Sequence, residues 1–425
     1  MTANALDAAA AKVRRRLVPF LFLLYIVAYL DRINIGFASL QMNEALGFSA
    51  AVYGFGAGIF FLSYTAFEIP SNIILARVGA RRWIARIMIT WGLASAAMMF
   101  AHDATSFYIL RFVLGAAEAG FFPGIIYYLT RWVPARERAR TVASFMTAVV
   151  TAGIVGGPLS GALLSMDGLG GLAGWQWMFL LEGIPATVLG FVVLRVLDET
   201  PADARWLTDP EKSALISRLQ QESAPAAGRA DGVSDALRHP WIWVLALVYF
   251  VVPVALYGFG FFLPQILRST FAGTPFQIGA LSAIPYLAGA AGMIVTSRHS
   301  DRTGERRWHV AVAAALAGVA FMATAFVEGL APSLVLLSIA MLGLASMFGP
   351  FWTLATSFVQ GPGAAAGIAL INSVGNVGGF VGPYGIGYLR DTTSGYSAGL
   401  MGIGAVVLAG GALVLLVPDR SRRSG

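Results

Sequence analysis

Two acids and two arginines lie inside segments that are otherwise apolar, and their types are suited to chemistry. Asp31 and Arg32 are adjacent in the first apolar run, and Arg111 and Glu118 lie seven residues apart in a later one. Charged side chains are costly at membrane depth, so they normally face a bundle interior or an aqueous path and are functional. A carboxylate can carry a proton, and a guanidinium binds carboxylates bidentately. The four residues therefore predict proton and organic-anion chemistry.

Each pair also has a structural alternative. Asp31 and Arg32 could neutralise each other and lock their helix to a neighbour, although adjacent helical positions point about 100° apart and neutralise poorly. Arg111 and Glu118 are two helical turns apart on one face, about 10 Å along the axis. They could form a buried ion pair that only supports the scaffold.

The composition places the chain among polytopic membrane proteins. Of its 425 residues, 57% are hydrophobic and 12% are charged. The 49 glycines favour close approach between transmembrane helices. The absence of cysteine excludes disulfides, thiolate metal sites and cysteine nucleophiles. The net charge is +7, but nearly every lysine and arginine lies on one set of alternate loops. The positive charge therefore reflects membrane topology and does not indicate a nucleic-acid partner.

The apolar segments predict an all-α membrane protein of twelve transmembrane helices. They are residues 17–40, 51–76, 83–101, 107–131, 141–165, 177–197, 241–267, 276–297, 308–328, 332–358, 365–390 and 396–417. Arginine clusters mark the loops on one side, and the positive-inside rule makes that side cytoplasmic. Both termini are then expected in the cytoplasm and the chain in the inner, or plasma, membrane.

The predicted organisation has three parts. Residues 1–197 form an N-terminal six-helix bundle, 198–239 a cytoplasmic linker, and 240–425 a C-terminal six-helix bundle. Thr208 to Glu211 has the spacing of a capping box, which predicts a short amphipathic helix within the linker.

An internal repeat supports the two bundles. A basic loop motif and a Gly-Pro pair each recur at an offset of 225 residues. Transporters built from such repeats commonly bind substrate at the midplane between them. The repeated residues are Arg77, Gly79, Arg81 and Arg82 with Arg302, Gly304, Arg306 and Arg307, and Gly157-Pro158 with Gly382-Pro383.

The same offset shows that the charges are confined to the N-terminal bundle. The counterparts of Asp31, Arg32, Arg111 and Glu118 are Leu256, Tyr257, Leu336 and Gly343. The C-terminal bundle is therefore expected to recognise substrate through neutral groups. The candidates are Tyr257, Gln265, Trp352, Asn372 and Asn376, with Tyr29 and Tyr64 opposite; packing is the alternative for Trp352, and interhelical hydrogen bonding for the two asparagines.

Longer motifs resemble a known family. The repeated loops resemble the signature of the major facilitator superfamily; the second keeps its aspartate as Asp301, whereas the first has Ala76 there. Within that superfamily the chain resembles the anion:cation symporter family, and its tartrate, 4-hydroxyphenylacetate and phthalate type permeases in particular. The motifs are residues 29–38, 67–72, 111–124 and 175–185.

The resemblance implies a secondary transporter that imports a small organic anion, a hydroxy-, sugar- or aromatic carboxylate, by proton symport through alternating access. It implies that Asp31 and Glu118 carry protons and that Arg32 and Arg111 contact substrate or control those acids. A glycine motif in the fifth span resembles an antiporter signature, although close helix packing is the alternative, so exchange or facilitation without proton coupling stays open. The motif is Gly153, Gly157, Pro158 and Gly161.

Other classes of site are not predicted. All four histidines fall at loops or helix ends, so neither a histidine relay nor a metal site is expected. The sequence has no phosphate-binding loop, so we do not expect it to use ATP. It also has no set of catalytic residues, so we expect neither a cofactor nor enzymatic activity. The expected partners are the anion, protons and lipid, with the chain a monomer. Glu68 is interpreted as pairing with loop arginines, and Glu182 has no predicted role.

Overall fold

A computed structural model describes residues 2–223, 239–358 and 364–418, and the regular elements in those ranges are helices. The 3₁₀ turns are short. The α-helices are α1 (Thr2–Ala45), α2 (Ala50–Val78), α3 (Ala80–Ala97), α4 (Ala104–Glu118), α5 (Phe121–Thr130), α6 (Ala135–Leu164), α7 (Gly174–Val196), α8 (Asp209–Ser223), α9 (Pro240–Thr270), α10 (Pro275–Thr303), α11 (Arg307–Thr324), α12 (Leu330–Ser346), α13 (Phe348–Phe358), α14 (Ala364–Thr393) and α15 (Ser397–Val414).

Eleven helical segments of the described ranges are long and apolar enough to cross a membrane. They correspond to eleven of the twelve predicted spans, with α4 and α5 forming one segment and α12 and α13 another. The remaining predicted span, residues 365–390, coincides with α14, whose 30 residues are long enough but include many glycines and two asparagines. This helix packs against α2 and α9, so much of its surface contacts protein. The all-α membrane fold is thus confirmed.

The N-terminal helices meet the C-terminal helices along three pairs: α1 with α9, α2 with α14, and α6 with α10. A Cβ atom on Gly54 would lie 2.3 Å from the Pro383 carbonyl oxygen, and one on Gly157 would lie 2.3 Å from the Gly279 carbonyl oxygen. Gly54 and Gly279 are separated by the repeat offset, as are Pro158 and Pro383. Gly157 precedes Pro158 by one residue, so the two contacts lie at equivalent positions of the repeat to within one residue, and both are made by backbone.

These contacts are reinforced at the end of the bundle where α14 finishes, which we call the Asp391 end. The Asp391 carboxylate accepts hydrogen bonds from the Ala50 N–H at 3.0 Å and the Ala51 N–H at 2.8 Å. It therefore caps the N-terminus of α2, where the helix dipole favours a negative charge. The buried Tyr53 hydroxyl donates to the Phe261 carbonyl oxygen at 2.9 Å.

Asp391→Ala is expected to weaken closure at this end, because it removes both acceptors of the α2 cap. Loss of a helix cap costs about 1 kcal/mol, which shifts a two-state population about fivefold. Since the chain has no cysteine, spin labels at Glu44→Cys and Ala272→Cys can report the distance across this end. We expect a longer, broader distance distribution. Arg390→Gln, which keeps Asp391, is the matched control, and equal distributions for Asp391→Ala and the parent would contradict the assignment.

The opposite end carries α8, and we call it the α8 end. Lys12 forms an ion pair with Glu211 at 2.8 Å, and Glu222 accepts from the Ala135 N–H at 2.8 Å. The bond from Lys12 lowers the pKa of Glu211. α8 is therefore held against the N-terminal helices. The predicted division at 198–239 stays a prediction, and residues 224–238 of the linker lie outside the described ranges.

The two copies of the basic loop motif cap helices with different acids. Gly79 has φ 101°, and Glu199 accepts from the Ala80 N–H at 2.8 Å and the Arg81 N–H at 3.0 Å. Glu199 follows α7 in the chain. It supplies a carboxylate to the loop motif in which Ala76 occupies the position of the signature aspartate.

In the second copy Gly304 has φ 71°, and Asp301 pairs with Arg306 at 2.8 Å. Glu305 caps α11 by accepting from the Trp308 N–H at 2.7 Å. Although partial burial opposes the shift, bonds from Trp308 and His309 lower the pKa of Glu305. Arg307 donates to the Val417 carbonyl oxygen at 2.7 Å and so joins α11 to the end of α15. The side chains of Arg77, Arg82 and Arg302 are exposed.

Candidate functional site

Arg32 and Glu118 form an ion pair where the N-terminal and C-terminal helices meet. The Arg32 Nη2 atom contacts Glu118 Oε1, and the side chains are only 13% and 2% exposed. Arg32 Nη1 also lies 3.4 Å from the hydroxyl of Tyr257. Arg32 and Tyr257 are 225 residues apart, so equivalent positions of the repeat touch each other at its axis. This contact places a cation between the two sets of helices.

Aromatic rings enclose the Arg32 guanidinium. Its Cζ atom lies 5.3 Å from the ring centre of Tyr64 and 5.4 Å from that of Phe60. Such cation–π contacts stabilise a guanidinium that has been removed from water. The Nε atom is buried and has no hydrogen-bond partner among the described residues. Arg32 therefore keeps one donor unused.

A break in the helix presents Glu118 to Arg32. α4 ends at Glu118, Gly120 has φ 87°, and α5 begins at Phe121. A Cβ atom on Gly120 would lie 2.4 Å from Ser71 Oγ, which itself donates to the Ala119 carbonyl oxygen at 2.7 Å. Glycine thus permits both the backbone conformation and the close approach of α2. Discontinuous helices are common at transporter binding sites.

Asp31 points away from Arg32 into the N-terminal helices. Its carboxylate accepts hydrogen bonds from Trp91 Nε1 at 2.6 Å and from Ser95 Oγ at 2.9 Å. The residue is 1% exposed. Both donors are neutral, so Asp31 has no bonded cation among the described residues. Adjacent positions on α1 therefore serve two different environments.

Arg111 is enclosed between α4 and α2. It is 0% exposed, and it donates to the carbonyl oxygens of Gly56 at 3.3 Å and Ala57 at 3.0 Å. It forms no direct ion pair with Glu118 within the described chain. In this conformation the Arg111 side chain has no exposed surface, and its role in contacting substrate or controlling the acids stays a prediction.

Tyrosines from both sets of helices surround the ion pair. Tyr25, Tyr64 and Tyr257 all lie within electrostatic reach of Arg32. Tyr25 stacks on Phe145 at 4.6 Å, and Tyr257 lies 4.3 Å from Phe61 between ring centres. Tyr29 is 5% exposed and packs beside Ile33 and Ala152. The site thus combines one cation with phenolic hydroxyls and aromatic faces.

The other predicted substrate contacts of the C-terminal helices do not lie together. Trp352 packs at 4.9 Å from the ring of Tyr249, and Asn376 Nδ2 is buried without a partner among the described residues. Asn372 lies one turn earlier on α14 and is half-buried. Gln265 instead accepts from the Tyr396 hydroxyl at 3.0 Å, eight residues beyond Tyr257 on α9. The structure therefore does not bring Gln265 to Arg32.

The glycine motif of α6 is used for packing. Cβ atoms on Gly153 and Gly161 would lie 2.8 Å from Tyr286 and 2.5 Å from the Pro275 carbonyl oxygen. On α14, a Cβ atom on Gly382 would lie 2.1 Å from the Val254 carbonyl oxygen. These contacts fit the packing interpretation of the motif, and exchange stays an alternative prediction.

Two acids differ from what the sequence indicated. Glu68 makes no ion pair with a loop arginine in the described ranges; its charged neighbour is Arg32, and its Oε2 atom is buried without a partner. Glu182 is 5% exposed and accepts from Ser160 Oγ at 2.8 Å. Its position in the apolar run 177–197 was the available signal, but the run names no partner for it.

Comparison with known proteins identifies the family of the chain. The family model described as "Major Facilitator Superfamily" matches residues 21–383. The chain belongs to the major facilitator superfamily. This match and the transporter relatives also confirm that the chain is a membrane transporter and not an enzyme.

The superfamily member is similar to two bacterial proteins over nearly its whole length. It is 48% identical to a "Putative tartrate transporter" of Agrobacterium vitis, over 97% of this chain and 92% of that protein. It is 43% identical to the "Putative metabolite transport protein NicT" of Pseudomonas putida, over 96% and 94%. These names are consistent with the predicted resemblance to anion permeases.

A solved structure shows the same fold. The crystal structure of a bacterial homologue of the human lysosomal transporter Spinster, described as inward-facing and unoccupied, superposes with a TM-score of 0.80. The sequences are 18% identical, and the match covers 96% of this chain and 97% of that one. At this identity the similarity concerns the fold alone.

Proposed function

We propose that this transporter imports a small organic anion by proton symport, with Arg32 as the anion-binding cation and Glu118 as a coupling acid. The observation that carries the proposal is the Arg32–Glu118 ion pair between the two sets of helices. Tyr257 contributes from the C-terminal side. The substrate class is a hydroxy-, sugar- or aromatic carboxylate.

Competition for Arg32 couples the anion to the proton. A substrate carboxylate that binds the guanidinium displaces Glu118, which has no other cation bonded to it in the described chain. A displaced carboxylate in a buried site is costly unless it is protonated. Anion binding therefore favours proton uptake. The site that holds the anion, Arg32 and the protonated Glu118 is then electrically neutral, and it can be opened to the other side of the membrane. Asp31, the second proposed proton carrier, lies one residue away on the other face of α1.

The contacts between halves support a conformation closed at the Asp391 end. We assign that end to the outside and the α8 end to the cytoplasm, because the arginine-rich loops lie at the α8 end. With this orientation both termini are cytoplasmic and the chain lies in the inner membrane. We also propose that it acts as a monomer and uses no cofactor. The C-terminal arginines that entered this prediction, Arg420, Arg422 and Arg423, lie outside the described ranges.

Purified protein in liposomes tests the proposal. Radiolabelled tartrate, a sugar acid and an aromatic acid are offered with and without an imposed inward proton gradient. We expect at least one acid to accumulate only with the gradient, by about tenfold per pH unit for each coupled proton. Uptake that ignores the gradient but requires anion inside the liposome would instead establish exchange, the alternative mechanism. Empty liposomes are the control.

A further inference from the structure

Glu182 is a buried acid to which the proposed mechanism gives no role. It belongs to α7, which packs on α1, α3 and α6. Its Oε1 atom accepts from Ser160 on α6, whereas its Oε2 atom is buried without a hydrogen-bond partner. A Cβ atom on Gly183, the residue after Glu182, would lie 2.6 Å from the Ala96 nitrogen, so α7 meets α3 next to Ser95, which donates to Asp31. Asp31 on α1 also interacts electrostatically with Glu182. Two acids from different helices are thus close together in the interior.

No cation neutralises these two acids within the described residues. The donors to Asp31 are Trp91 and Ser95, and the donor to Glu182 is Ser160, all of them neutral. The remaining charged group that faces Asp31 is Glu118, whose charge is matched by Arg32. Two buried like charges without a counter-ion are strongly disfavoured, and sharing one proton relieves the repulsion.

Asn34 gives this acid pair a partner that suits either protonation state. It is 0% exposed, lies three residues after Asp31 on α1, and is close enough to Glu182 to interact with it. Among the described residues neither its Nδ2 nor its Oδ1 atom makes a hydrogen bond of full geometry, although the amide lies next to Glu182. An amide can donate its N–H to a carboxylate or, after rotation, accept from a carboxylic acid. The unused amide therefore accommodates a change in protonation next to it.

We propose that Asp31 and Glu182 form a buried acid pair that holds one exchangeable proton, with Asn34 and Ser160 as neutral partners. Glu182 is then a proton-binding residue of the N-terminal helices in addition to Glu118 and Asp31. The role of this proton in transport rests on the proposed symport function. The presence of the proton does not, because it can be measured without substrate.

Infrared difference spectroscopy on substrate-free protein in lipid nanodiscs tests the pair. Buffers of rising pH should reveal the carbonyl-stretch band of a buried carboxylic acid at neutral pH, shifted in heavy water. In Glu182→Gln we expect that band to disappear, because Asp31 alone ionises with the help of its two donors. Glu44→Gln, which removes an exposed acid of the same helix as Asp31, should leave the band unchanged.

Each outcome is decisive. An unchanged neutral-pH band in Glu182→Gln overturns the proposal. If that variant does not fold, Asn34→Leu keeps both acids and should shift the band and its titration midpoint; an unshifted band has the same negative meaning. The two proposals can fail separately. If the band is lost in Glu182→Gln while uptake by the parent protein ignores the proton gradient, symport is refuted and the acid pair is retained.

Discussion

Replacing Arg32 by alanine is expected to abolish uptake of the organic anion. Both sets of helices contact the guanidinium, and its Nε donor has no partner in the described part of the chain. Truncating one member of a buried charge pair costs about 2–5 kcal/mol in binding, at least about thirtyfold in Kd. Binding is measured by calorimetry or by ligand-induced thermal stabilisation in detergent.

Two further variants separate binding from folding in that experiment. Arg32→Ala leaves Glu118 buried without its cation, so Arg32→Ala with Glu118→Gln removes the charge imbalance and should bind no better. Arg32→Lys keeps the charge but loses the planar fork, and we expect it to restore folding without restoring affinity. Arg268→Ala, an exposed arginine at the Asp391 end, is the matched control. Unchanged affinity in Arg32→Ala would remove Arg32 from the binding site.

Glu118→Gln is expected to uncouple transport from the proton gradient. Glutamine keeps the size of the side chain and can still accept a hydrogen bond from Arg32, but it cannot take up a proton. Accumulation driven by one pH unit, worth about 1.4 kcal/mol per proton, should fall to the level of empty liposomes. Exchange of labelled for unlabelled anion at equal pH should persist, because it needs no net proton movement.

The two assays must be read together on the same preparation. Loss of both activities indicates a folding or binding defect, which thermal unfolding and substrate binding would reveal. Glu68→Gln is a useful comparison, since Glu68 also lies near Arg32 but is not bonded to it. Acid-driven accumulation that survives in Glu118→Gln would exclude Glu118 as the coupling acid.

The sequence predicts the helices well because membrane spans are long, apolar and set by bilayer thickness. It also predicts the charged set of α1 and α4, since charges in apolar runs are conspicuous. The partners within that set are less accessible. Arg111 and Glu118 share a helical face by spacing, yet α4 stops at Glu118, and the break directs its carboxylate to Arg32.

Contacts between segments that are distant in the chain could not be predicted from the sequence. Nothing near Ala76 indicates that Glu199, more than a hundred residues later, caps α3. Gln265 and Tyr257 share a helix, yet Gln265 is bonded to Tyr396 whereas Tyr257 contacts Arg32. Glu182 was noticeable as a lone acid, and its relation to Asp31 required the arrangement of α1 and α7.

The backbone contacts at the Asp391 end have a consequence for the speed of the transport cycle. Gly54, Gly157 and Gly279 meet opposing main chain directly, so closing this end orders few long side chains and loses little rotamer entropy. Helix movements of this kind take microseconds to milliseconds. The closed arrangement at this end is therefore reached with little ordering of side chains.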